Sequence, residues 1–142
     1  MNARFRAQSF LATSALLVFA ACSGMATGMG GELKLSGDQE VPPVSTSASG
    51  TGTIKVADDG SVSGSVTTKG MDGTMAHIHI AAAGKNGPVI VPLVKTADGV
   101  WSVPPGAKLT ADQLKAYQGG ELYVNVHTAA NRGGEVRAQL KP

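Results

Sequence analysis

Short runs of alternating apolar and polar residues, separated by Gly, Pro, Asp and Ser, fill the sequence from residue 32 onward. A period of two places successive side chains on opposite faces, which is typical of half-buried β-strands. The strand-like runs are ELKLS, GTGTIKVA, SVSGSVTTK, TMAHIHI, VIVPLVK, VWSV, ELYVNVHT and GEVRAQL. The alternation therefore predicts about eight short strands in an all-β, antiparallel sandwich or barrel.

One segment departs from this alternation and predicts a short helix near residues 110–118. In LTADQLKAYQGG, Thr110 is a suitable N-cap, and Gln113 stands three residues later. Together they complete a capping box, in which each side chain bonds to the other residue's backbone N–H. Gly119 and Gly120 then favour the end of the helix.

Residues 1–21 have the pattern of a secretory signal. Arg4 and Arg6 precede an apolar run from Phe10 to Ala21, and this segment has no acidic residue. A membrane-spanning helix needs about 20 apolar residues, so the run is too short to span a bilayer. A basic start followed by a short apolar run is instead the pattern of a cleaved signal.

The run ends in FAAC, Phe19–Cys22, which resembles the bacterial lipobox that directs lipidation of its cysteine. Cys22 is the one cysteine of the chain and the predicted lipidation site; ordinary cleavage nearby would leave it free. Residues 22–31 are expected to be a flexible tether, and residues 32–142 the folded domain. We expect export across the inner membrane and lipid anchoring in the cell envelope, in the outer membrane facing the periplasm.

Charge excludes one class of partner. The chain has 12 Lys and Arg against 10 Asp and Glu, and the signal contains two of the arginines. The mature protein is therefore neutral, with 10 residues of each sign. Nucleic-acid binding needs a basic surface, so no nucleic-acid partner is expected. The predicted partner is the membrane, through the lipid anchor.

Three longer segments carry a family resemblance. LSGDQEVPPVSTSASGTGTIKV, MAHIHIAAAGKNGPVIVPL and GELYVNVHTAANRGGEVRAQL resemble the CHRD family, named for repeats in chordin. The resemblance covers nearly all of residues 32–142. It implies a Greek-key sandwich, immunoglobulin-like or superoxide-dismutase-like, outside the cytoplasm, and no established enzyme activity. Chordin binds signalling ligands, and that role does not transfer to a single-domain bacterial lipoprotein.

The chain has three histidines, and strand parity places them on polar faces. In MAHIHI, His77 and His79 share a face with Met75, while the intervening residues belong to the core face. In ELYVNVHT, His127 shares a face with Asn125. An H-x-H pair with a remote histidine can hold copper or zinc, and the Met75 thioether would suit Cu(I). The sequence predicts that the H-x-H face points outward.

Two residues are predicted to support these ligands. Matching the apolar faces of the last two strands sets Val126 beside Val136, and then His127 beside Glu135; a two-residue shift would set His127 beside Arg137 instead. A carboxylate next to a ligating histidine fixes its tautomer. Asn125, on the same face as His127, is the second supporting residue.

The histidines leave three functional hypotheses. One is a module that binds a copper or zinc ion, and another is a structural or interaction domain in which the histidines organise the fold. The third is an enzyme, but three histidines cannot build a dinuclear copper–zinc centre, and the domain has no thiol nucleophile. We therefore expect no enzyme activity; the one catalytic alternative left is a mononuclear copper enzyme. Glu40, before two prolines, is interpreted as part of a rigid loop, and Trp101 as core.

Overall fold

The computed structural model describes residues 30–142. The predicted signal, Cys22 and the greater part of the predicted tether lie outside these residues, so those predictions stay predictions. Within the described range, no helix is long and apolar enough to span a membrane.

Residues 30–142 contain nine β-strands in one sheet, and neighbouring strands are antiparallel. In chain order they are β1 (Leu33–Ser36), β2 (Ser49–Val56), β3 (Val62–Lys69), β4 (Gly73–Ile80), β5 (Val89–Pro92), β6 (Val94–Ala97), β7 (Val100–Ser102), β8 (Leu122–Thr128) and β9 (Val136–Gln139). Their order in the sheet is β5-β4-β8-β9-β1-β2-β3-β7-β6. The edge strands β5 and β6 are separated in the chain by Leu93 alone, so the sheet curves until it is nearly closed. The all-β, antiparallel prediction is confirmed.

Aliphatic side chains from the inner faces of the strands form the core. Val66, Ile78, Val124, Val126 and Val136 are all 0% exposed. These residues occupy the apolar positions of the period-two pattern, because alternate residues of a strand share one face. Trp101 joins them, as predicted from the sequence.

The predicted helix is present as α1 (Ala111–Gln118). The Thr110 hydroxyl accepts a hydrogen bond from the Gln113 backbone N–H, and the Gln113 side chain accepts one from the Thr110 N–H, so the capping box is confirmed. Gly120, at φ +73°, follows the helix in the left-handed conformation that glycine adopts without steric cost. Helix capping was therefore readable from adjacent residues alone.

Two predicted elements differ from the structure. VIVPLVK was predicted as one strand, but it forms β5 and β6 on opposite edges of the sheet. Pro92 has no backbone N–H and cannot continue the ladder, which explains the break. The loop after β1 also contains a short 3-10 helix, Gly37–Gln39, whose Gly37 carbonyl oxygen accepts from the N–H groups of Glu40 and Val44.

The polar face of β8 is covered, contrary to the sequence prediction for the histidine face. All seven residues of this strand are buried, whereas His77 on β4 is partly exposed. Three loops lie over the face and bond to one another or to the strands: residues 37–48, 81–88 and 129–135. Asn86, for example, donates to the Val41 carbonyl oxygen at 2.7 Å. The prediction of an outward face holds for Met75, which is 50% exposed, and is wrong for the buried His79, because period-two parity reports only which side a residue is on and not what covers that side.

Candidate metal centre

Strands β4 and β8 lie next to each other and bring the three histidines together. In their ladder, Met75 pairs with His127, and His77 pairs with Asn125. Side chains at directly opposed and diagonal positions of one face are within reach of each other. His127 therefore stands beside the H-x-H pair, which the sequence could not establish.

The three rings form a compact group, named here the histidine cluster (His77, His79 and His127). Nδ1 of His77 lies 3.0 Å from Nε2 of His127. One ligand nitrogen from each ring can be chosen so that all three lie within 4.8 Å of one another. In a tetrahedral zinc site, with bonds of about 2.0–2.1 Å, neighbouring ligand nitrogens are roughly 3.3 Å apart. The His77–His127 contact is close to this spacing, whereas the 4.8 Å limit for the group means that the rings would have to move closer together to share an ion.

Backbone carbonyl groups orient two of the rings. Nδ1 of His79 lies 2.9 Å from the Gly87 carbonyl oxygen, and Nδ1 of His127 lies 2.9 Å from that of Arg132. A carbonyl oxygen only accepts, so each Nδ1 carries a proton. The neutral rings therefore carry their lone pairs on Nε2, which is the arrangement found in metal-binding histidines.

The Nε2 atom of His79 is the unsatisfied member of the histidine cluster. It is buried and has no hydrogen-bond partner among residues 30–142, and the residue is 7% exposed. Buried polar nitrogens are normally paired, because an unpaired one loses its bonds to water without replacement. A lone pair in this position is chemically suited to a metal ion.

Burial keeps two of the rings neutral. It lowers the pKa of His77 below 6.5, and the charges that His127 and His79 acquire on protonation lower it further. It also lowers the pKa of His79, against the opposing effects of the Gly87 carbonyl and the Asn125 side chain. Neutral imidazole is the form that binds metal, so neither ring has to lose a net charge before it acts as a ligand at pH 7.

A stacked column supports the His79 ring from behind. Tyr123 stacks on His79 with ring centroids 4.7 Å apart and an interplanar angle of 2°. The guanidinium carbon of Arg137 lies 3.4 Å from the Tyr123 ring centroid. Arg137 is 1% exposed and donates to the Lys85 carbonyl oxygen and the Asn86 amide oxygen. The column ties loop 81–88, which contains Gly87, to strands β8 and β9.

Comparison with known families identifies the family of the chain. A family model described as the CHRD domain matches residues 32–140, which is most of the chain. The chain belongs to the CHRD domain family. No curated protein and no solved structure matches it significantly. The resemblance in the strand and loop segments is thus confirmed.

The predicted supporting role of Glu135 toward His127 is corrected by the CHRD domain structure. The register is as expected, since Val126 pairs with Val136. The Glu135 carboxylate, however, accepts hydrogen bonds from Thr46 at 2.7 Å and Thr128 at 2.6 Å. These bonds lower the pKa of Glu135, the Thr128 bond most. The two ring nitrogens of His127 bond to His77 and to the Arg132 carbonyl oxygen, so Glu135 does not bond to this ring. Its bonds to the threonines instead hold the loops that cover the cluster.

Asn125 supports the loop that orients His127. Its amide donates to the Gly133 carbonyl oxygen at 3.2 Å, next to the Arg132 carbonyl that holds the ring. Its own Oδ1 is buried and has no hydrogen-bond partner in the described part of the CHRD domain. Asn125 therefore lies beside the histidine cluster, where it supports the loop and also acts directly on His79, whose pKa its side chain raises.

Several functional groups carried no recognisable sequence signal. The carbonyl oxygens of Gly87 and Arg132 belong to the backbone, which no residue pattern reports. Arg137 alternates with apolar residues and is buried, and the alternation alone does not report that burial. Glu40 is 4% exposed, and burial raises its pKa to about 7, against the opposing effects of Asn125, Arg137 and the Val41 backbone. The rigid-loop interpretation of Glu40 missed this burial; the prolines that follow it were the only local hint.

Proposed function

We propose that this CHRD domain binds one copper or zinc ion through His77, His79 and His127. The observation that supports the proposal is the buried Nε2 of His79, which has no hydrogen-bond partner within residues 30–142 and lies in a group of three imidazoles. A metal ion at this point would satisfy that lone pair. It would also use the tautomers that the Gly87 and Arg132 carbonyl groups impose.

The proposed role is binding, not catalysis, in an exported lipoprotein. The support for export is the signal pattern of residues 1–21, and the support for anchoring is the position of Cys22 at its end. An outer-membrane protein facing the periplasm would meet exchangeable copper and zinc directly. The proposed partner of the protein is the membrane that holds its lipid.

A second candidate function is a structural or interaction domain of the envelope. The 3.0 Å contact between His77 and His127 favours it, because two neutral rings already form a hydrogen bond there without a metal. In that case the rings, together with the Gly87 and Arg132 carbonyl groups, hold the covering loops in place. The Nε2 atom of His79 has no role in this alternative.

Metal titration of the purified protein tests the proposal. Cys22→Ser serves as the background, so that the single thiol of the chain cannot bind the added ion. We expect saturable binding of one Zn²⁺ ion and a rise in Tm, since a ligand of the native state stabilises it. His79→Gln keeps an amide donor for the Gly87 carbonyl but removes the imidazole, and we expect it to abolish that binding.

Asp58→Asn is the matched control, because it removes an exposed acidic group between β2 and β3, strands that do not pair with β4 or β8. We expect its titration to equal that of the parent protein. The proposal fails if the parent shows no saturable uptake, or if His79→Gln binds zinc as well as the parent does. The structural alternative predicts a different result: His79→Gln and His127→Gln lower Tm, and added metal leaves the Tm of the parent unchanged.

A further inference from the structure

Met75 is a large apolar side chain exposed beside the histidine cluster. It is 50% exposed, although Met side chains of this size are usually buried. On β4 it lies two residues before His77, and in the β4–β8 ladder it pairs with His127. It therefore adjoins two of the three rings on the same face of the sheet.

The thioether of Met75 is within reach of the cluster. Directly opposed residues of an antiparallel pair have Cβ atoms about 4.5–5.5 Å apart, so Met75 starts close to the His127 ring. Its unbranched side chain has three rotatable bonds and can turn toward the rings. Because half of the side chain is in solvent, this movement disrupts little packing and covers apolar surface.

The charges around the cluster favour an ion of low charge. The three candidate ligands are neutral imidazoles, and the Glu135 carboxylate is bonded to Thr46 and Thr128. The buried Arg137 cation lies behind His79, with only the Tyr123 ring between them. The buried carboxyl of Glu40, which interacts with Asn125 and Arg137, has a pKa of about 7 and so contributes at most a partial negative charge at neutral pH. Burying a divalent ion without an anionic ligand, near a cation, costs more than burying a monovalent one.

We propose that Met75 is a fourth ligand of the histidine cluster and makes the site selective for Cu(I). The inference rests on the proposed function, which leaves the metal open between copper and zinc. A thioether sulfur is a soft ligand that favours Cu(I), and imidazole is accepted by both metals. The ligand set is then three neutral nitrogens and one neutral sulfur around a monovalent ion.

Parallel Cu(I) and Zn²⁺ titrations of purified variants test the inference, in the Cys22→Ser background. Cu(I) affinity is measured anaerobically by competition with a chromogenic Cu(I) chelator. Met75→Leu keeps the size of the side chain and removes the sulfur. Met71→Leu is the matched control, because Met71 packs against the hydrophobic core. Copper K-edge absorption of the Cu(I)-loaded parent then reports directly whether a sulfur atom is bound.

We expect Met75→Leu to weaken Cu(I) binding by about tenfold or more and to change Zn²⁺ binding by less than about twofold. Met71→Leu should match the parent for both ions, and the copper spectrum of the parent should contain one sulfur neighbour that Met75→Leu lacks. Unchanged Cu(I) affinity in Met75→Leu, or a copper spectrum without sulfur, overturns the role of Met75 while the three-histidine proposal stands. A parent protein that binds neither ion overturns both.

Discussion

Nδ1 of His77 lies 3.0 Å from Nε2 of His127, across the ladder between β4 and β8. The Nδ1 proton of His127 is already donated to the Arg132 carbonyl oxygen, so the proton between the two rings belongs to His77. A metal ion that uses both nitrogens must displace this proton, which can move to Nε2 of His77. Without a metal ion, the hydrogen bond between His77 and His127 thus holds these two rings together, and metal binding would replace that bond.

A double-mutant cycle on His77 and His127 measures this bond in the presence of a metal chelator. We expect His77→Ala to cost about 1 kcal/mol of unfolding free energy and His127→Ala, a buried residue, about 2–3 kcal/mol. The coupling energy between them should be about 1 kcal/mol. Urea unfolding of the four proteins gives these values. A coupling energy of zero would show that the rings share no proton.

Glu40 should make the protein less stable as pH rises. Its pKa is about 7 in the folded protein and 4.5 in the reference state, so between these values the folded state holds a proton that the unfolded state has lost. Raising the pH through this window therefore removes up to about 3 kcal/mol of stability. Glu40→Gln mimics the protonated carboxyl group, so its unfolding free energy should exceed that of the parent at pH 8 and equal it at pH 4.

Other titrating groups change stability in the opposite direction. The pKa values of His77 and His79 are lowered from 6.5 in the folded protein. Their contribution to the free energy of unfolding is therefore fully present above pH 6.5 and is lost as the pH falls below that value. The parent and Glu40→Gln both contain these histidines. The difference between their unfolding free energies therefore reports the effect of Glu40 alone. Glu135→Gln is the control: the pKa of Glu135 is lowered, so this variant should be less stable than the parent at pH 8. The prediction would be contradicted if the unfolding free energies of the parent and of Glu40→Gln changed with pH in parallel.

Adjacent glycines in the loop over His127 should respond very differently to alanine. Gly134 has φ +125°, and a Cβ there would overlap Oε1 of Glu40 and Nδ2 of Asn125. We expect Gly134→Ala to cost about 2 kcal/mol or more. Gly133 has no positive φ, and a Cβ there meets nothing within 4 Å among the described atoms, so Gly133→Ala should lie within about 0.5 kcal/mol of the parent. Chemical denaturation compares them, and equal costs would rule out the close approach at Gly134.

Arg137→Lys tests the column behind His79. Lysine keeps the charge but loses the planar stack on Tyr123 and the forked donation to Lys85 and Asn86. We expect a loss of about 2–3 kcal/mol and faster hydrogen exchange in residues 81–88. Arg132→Lys is the control, because that side chain is exposed and its backbone carbonyl makes the contact to His127. Unchanged exchange in Arg137→Lys would show that the column does not hold the loop.

Local patterns in the sequence determined the class of the fold and the faces of the strands. The alternation in TMAHIHI and ELYVNVHT placed the histidines opposite Ile78 and Val126, which are core residues. The capping box at Thr110 and Gln113 placed α1. These features depend on residues a few positions apart, and their periods follow from backbone geometry, so they can be read without the fold.

Only the tertiary structure decided that the candidate site exists as a cluster. His77 and His127 are 50 residues apart in the chain and meet because β4 pairs with β8. The Gly87 and Arg132 carbonyl groups, the burial of Arg137 and Glu40, and the bonds of Glu135 to threonines all depend on how three loops fold over one face of the sheet. Strand order and loop placement are set by the packing of the whole chain, so no local sequence pattern reports them. Backbone carbonyl groups are alike at every residue, so the sequence cannot show which of them contact the histidines.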